Sequence, residues 1–101
     1  MSIFDIFTFK KEGKKIFSIE FFKAILEEAR RGVIKLAKEN IPGEEKKKCV
    51  DAIVTSFIYS RIQTLGITNK IILWIIDRII EVVPTITQLV YEFLKEKVEN
   101  L

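Results

Sequence analysis

The sequence predicts an all-α protein, an antiparallel helical bundle of three to four helices with an N-terminal Phe-rich arm. Three observations carry this. Apolar residues recur at i, i+3, i+4 and i+7 over long stretches. Helix punctuation falls between those stretches, at Ser18, Pro42-Gly43, Gly66 and Pro84. Helices this long with short joints between them pack antiparallel.

Residues 1–17 form the arm, where aromatic residues alternate with polar ones before Lys10-Lys11-Glu12-Gly13-Lys14-Lys15. Phe7-Thr8-Phe9 and Ile16-Phe17 around that turn allow a short hairpin, although Glu-Gly is not a favoured turn pair. A short helix over 2–7 or an ordered irregular arm fits equally. Residues 18–101 form the bundle domain. Its first helix runs from Ser18, a good N-cap with Glu20 in the first turn, to about Asn40. Phe22, Ile25, Leu26, Ala29, Val33, Leu36 and Ala37 share one arc of it. Gly32 interrupts this helix at a cost of roughly 1 kcal/mol relative to Ala, and its place at the edge of the arc points to a close helix–helix approach.

Asn40-Ile41-Pro42-Gly43 stops that helix and restarts the chain. The second helix opens with Glu44-Glu45 and runs to Leu65, with Val50, Ile53, Val54, Phe57, Ile58, Ile62 and Leu65 as its core face. The third starts after Thr68. Its polar residues fall within an arc of about 100°, and its near-complete apolar circumference predicts a place at the centre of the bundle. Because Val83 is a poor N-cap, a kink at Pro84 in one long helix is expected rather than a fourth helix. Ile86, Leu89, Val90, Phe93 and Leu94 then make a stripe that Val98 and Leu101 continue.

Composition narrows the function classes. The chain has 101 residues, 49% hydrophobic and 31% charged, with eight Phe, one Cys and no His. That excludes disorder, a disulfide within the chain, a His-dependent triad and a His or Cys-rich metal cage. Nearly half the residues are apolar, generous for so small a domain, so part of that surface is expected to face a partner, and a homo-oligomer is the simplest one. Residues 1–50 carry twelve Lys/Arg against eight Asp/Glu, and residues 51–101 carry five against six, so the basic excess is N-terminal. The hottest apolar run, Ile71–Ile76, ends at Asp77-Arg78, short of the roughly 20 residues that span a bilayer. The N-terminus lacks a signal-peptide pattern, and a single Cys49 suits a reducing compartment. The expected location is cytoplasmic.

No phosphate-binding Gly-rich loop, nucleophile elbow or two-Cys motif occurs, and Glu27-Glu28 and Glu44-Glu45 diverge by about 100° around a helix. The expectation is therefore no enzyme and no cofactor. Trp74 is the most informative residue, because it sits amid the polar stripe of Lys70, Asp77, Arg78 and Glu81, and Arg78 at i+4 is placed to stack on it. These five are the candidate partner-binding residues; the alternative is that the arm covers Trp74. Phe4, Phe7 and Phe9 with Lys10, Lys11, Lys14 and Lys15 are the candidate membrane or anion-binding group, with a solvated turn as the alternative. Arg61 either pairs with Asp51 or Asp77 or exits to solvent. Lys46-Lys47-Lys48 reads as a solvated helix start. Cys49 reads as a small buried hydrophobe, or an interface residue.

Ile41-Pro42-Gly43-Glu44-Glu45-Lys46-Lys47-Lys48 lies between two amphipathic helices and is followed by Gly66-Ile67-Thr68 and an Ile-rich helix. Over roughly residues 29–83 this arrangement resembles small phage-encoded proteins, in particular the soluble helical tail of phage LL-H-type holins. That family carries an N-terminal membrane helix where this chain has the Phe-rich arm. The resemblance thus implies a phage or prophage association rather than a lytic pore.

Together these readings give the expectation of a non-enzymatic, oligomeric helical binding protein that acts by protein–protein contact, with a host defence complex as one partner it would inhibit. The second expectation is a holin-like accessory protein at a membrane surface, using the arm. Nucleic-acid binding ranks below both, because the charge is too balanced for a strong footprint.

Overall fold

In the computed structural model of the chain, residues 3–97 are described, without the side chains of residues 4, 5 and 97. They form five helices: α1 (Ile3–Ile16), α2 (Ile19–Ala37), α3 (Gly43–Leu65), α4 (Lys70–Glu81) and α5 (Val83–Lys97). No strand occurs among the described residues. Val98 and Leu101, expected to extend the last apolar stripe, lie outside them.

Each boundary has a local cause. Ser18 caps α2, its hydroxyl accepting from the Phe21 N–H at 3.1 Å, as the sequence predicts. Asn69 caps α4, its side-chain oxygen accepting from the N–H groups of Ile71 and Ile72. Gly66 ends α3 at φ 66°, ψ 38°. There the Gly66 N–H donates to Gln63 O and the Ile67 N–H to Ile62 O, both at 3.1 Å. That pair of bonds and the burial of both Ile62 and Ile67 make a Schellman cap, which a residue with a Cβ enters only under strain.

The arm is a helix, not a hairpin or a short 2–7 turn. Along α1, Phe9, Glu12 and Ile16 face inward, whereas Ile3, Ile6 and Phe7 face outward. The Phe-Thr-Phe alternation that suggests a strand is overridden by this longer period. Glu12 fixes the docking. It is buried, and its carboxylate accepts from the N–H of Thr68, the Thr68 hydroxyl at 3.0 Å and the N–H of Asn69 at 2.9 Å. It thereby satisfies the residues just ahead of α4.

At the middle of the molecule α2 and α3 run antiparallel. Gly32 faces Val50 and Phe21 stacks on Phe57 at 6.5 Å, pairs of nearly constant residue-number sum. A Cβ on Gly32 would stand 3.1 Å from Val50 Cγ1, so the glycine does mark a close approach. Lys46 donates to Ala37 O, 3.1 Å away, near the C-terminal end of α2, so it is not merely a solvated residue. α5 packs on both α2 and α3, and α1 packs on α3 and α4.

Four sequence expectations are corrected. The inward arc of α2 is Phe21, Ile25, Ala29 and Val33; Phe22 and Leu26 are exposed. Two adjacent phenylalanines leave the arc's edge ambiguous, and contact with α3 decides it. The central helix is α3, with Val50, Val54, Ile58 and Ile62 buried, whereas α4 buries only Ile72 and Ile76 and lies against α1. The chain breaks at Val82 into two helices instead of bending within one. Pro84 has no N–H to give Ile80 and its ring crowds that carbonyl, while the first turn of a helix accepts it freely. Cys49 is exposed, not buried.

Candidate functional site

On α4 the buried pair Ile72 and Ile76 defines an inner pole, and Trp74 lies about 180° from it on a helix of 100° per residue. Trp74 is accordingly 61% exposed. The described part of the arm leaves it open: Glu12 docks α1 at Thr68 and Asn69, ahead of α4. The Arg78 guanidinium lies 5.6 Å from the Trp74 ring centroid and its Nη2 is 3.0 Å from Glu81 Oε1. Lys70 and Asp77 are exposed on the same arc. The structure therefore brings together Trp74 and all four residues that the sequence groups around it. The stack contributes about 0.5–1 kcal/mol at an exposed position, a few-fold bias toward the stacked arrangement. The result is an aromatic surface ringed by charges of both signs.

The second predicted group is divided. Phe9 packs inward with Phe17, and the Phe4 side chain lies outside those described. Phe7 remains 67% exposed, and Ile3 and Ile6 join it, two residues the sequence reading passed over despite their i, i+3, i+4 spacing. Lys10 and Lys14 continue the same outward face toward the C-terminal half of α1, and Lys11 and Lys15 are exposed beside them.

A third surface was not foreseen. Between α2 and α5 runs a groove of about 620 Å³, with Leu26, Leu89 and Phe93 along it and Lys23, Glu27 and Arg30 on the α2 wall. Sequence periodicity assigns those three apolar residues to the core. They are 50%, 60% and 60% exposed, because each apolar stripe is wider than the strip its neighbour covers. The signal was the width of the stripes, seven arc positions on α2 alone.

Charges follow simple local causes. Burial works against the charged form of Glu12, but the Thr68 and Asn69 N–H groups, the Thr68 hydroxyl and nearby Lys15 outweigh it and hold the carboxyl below the usual range. Glu27 is held low by its hydrogen bonds from Arg30, with Arg31 adding to the field. Arg61 lies 5.5 Å over the Phe57 ring and forms no ion pair with Asp51 or Asp77. Among the described residues no cluster of His, Cys, Asp or Glu could hold a metal ion, and no helix is long and apolar enough to cross a membrane.

No protein-family model, curated protein or solved structure matches the chain.

Proposed function

We propose that the chain is a helical binding module that works by protein–protein contact, with Trp74 as its anchor. The supporting observation is Trp74 itself, 61% exposed with the Arg78 guanidinium 5.6 Å from its ring centroid. Tryptophan is normally among the most buried side chains, and Trp and Arg are the residues that dominate binding hot spots. Opposite charges at Arg78, Asp77 and Glu81 supply a rim that sets partner orientation more than affinity.

The test compares the wild-type chain with Trp74→Ala/Arg78→Ala by cross-linking and mass spectrometry in the native host. Both residues are exposed, so circular dichroism should report unchanged helicity. Loss of a partner whose affinity falls at least about 30-fold, the equivalent of a hot spot of about 2 kcal/mol, supports the anchor. An unchanged set of cross-linked partners removes it.

A second reading is favoured by one specific observation, the outward row of Ile3, Ile6, Phe7, Lys10 and Lys14 on α1. Apolar residues beside lysines on one helix face suit the boundary of an anionic bilayer. Flotation with phosphatidylglycerol-containing vesicles at low salt should carry the protein upward, and Phe7→Asp should abolish this. Sedimentation of the wild-type chain under those conditions sinks the reading.

A further inference from the structure

We propose that the α2–α5 groove is a self-association surface, on which two copies of the chain pair about a two-fold axis running along the groove. This goes beyond the Trp74 reading and uses different helices, so either can fail without the other.

The floor of the groove supplies the driving force. Leu26, Leu89 and Phe93 keep half or more of their full exposure, beside the half-buried Ile86 and Val90. Such a contiguous apolar strip is characteristic of a contact surface.

The walls identify the occupant. On α2, Lys23 and Arg30 border the groove with Glu27 between them, and that carboxylate is already shared by Arg30, at 2.9 Å from its Nε, and by Arg31, at 3.4 Å. This wall is net basic. On α5, Glu92 and Glu96 are exposed and fall within about 60° of Leu89 around the helix, with exposed Lys95 about twice as far round, so the edge of that wall beside Leu89 is acidic. A two-fold axis along the groove lays the basic wall of each copy over the acidic wall of the other. An axis across the groove would set like charge over like charge. The single chain thus carries both halves of an isologous contact.

The experiment is sedimentation velocity on the full chain across a wide micromolar range. The wild type should form a dimer. Lys23→Glu/Arg30→Glu and Glu92→Lys/Glu96→Lys should each raise the dissociation constant by at least about tenfold, since like charges then face each other. An equimolar mixture of the two variants should recover a heterodimer, because one now offers two acidic walls and the other two basic walls. Leu89→Glu/Phe93→Glu should be monomeric with its helicity retained. A wild type that stays monomeric overturns the proposal. So does a dimer that survives the charge reversals, or a mixture that fails to pair.

Discussion

Glu12 shows how one residue decides where a helix goes. Its folded-state pKa lies below the usual 4.5, so its ionised form stabilises the fold above about that value. This contribution is lost as pH falls through the lower, folded-state value. Urea midpoints should therefore drop below pH 4.5 more steeply for the wild type than for Glu12→Gln. At pH 7 the variant should be less stable by about 1.5–3 kcal/mol, the usual worth of hydrogen bonds to a charged group. Thr87 predicts the opposite sign. It is 2% exposed and its hydroxyl has no hydrogen-bond partner, so Thr87→Val, nearly the same shape, should raise stability by about 1 kcal/mol. A lower melting temperature for that variant would show the hydroxyl to be satisfied. Legibility at this scale follows range. Ser18 and the stacked Arg78 were readable because their partners lie within four residues. Glu12 was not, because its partners lie 56 and 57 residues away and a Lys-Glu-Gly-Lys stretch looks like solvent-exposed turn.

At the scale of elements, periodicity identified the helices and punctuation their ends, but neither could measure how much of an apolar face finds a neighbour. Hence Leu26, Leu89 and Phe93 were read as core, and α4 as central. The same limit hid α1, whose inward face of Phe9, Glu12 and Ile16 has a charge at its middle. Two joints make checkable demands. Gly66→Ala places a side chain at φ 66° and should cost about 1–2 kcal/mol. At the α2–α3 crossing, Gly32→Ala alone should bring no gain despite its better helix propensity, because buried Val50 stands in the way. In a Val50→Ala background the same change should stabilise by up to about 1 kcal/mol. Equal effects in the two backgrounds, by urea denaturation, would show that the crossing is not tight.

The whole molecule is a rod of 53 × 21 × 20 Å with a radius of gyration of 15.8 Å, against about 13 Å for a compact chain of this length. That shape explains the apolar excess that composition only announced, since a narrow rod cannot surround all its large side chains. It also explains Cys49, which is exposed on α3 and should react with a thiol reagent at close to the rate of an unfolded control. Strong protection in dilute solution would mean that something covers α3 there.

The contact between Glu12 and the α3–α4 joint has a further consequence, for the order of folding. The α2–α3 hairpin closes a short loop and buries its stripe early, at small entropic cost. The Glu12 contact closes a loop of more than fifty residues, so its reward arrives late. Until α1 docks, the start of α4 lacks three of its hydrogen bonds. The amides of Thr68 and Asn69 should therefore exchange with solvent together with those of α1, faster than those of Val54 and Ile58, as one unit that opens while the centre stays closed.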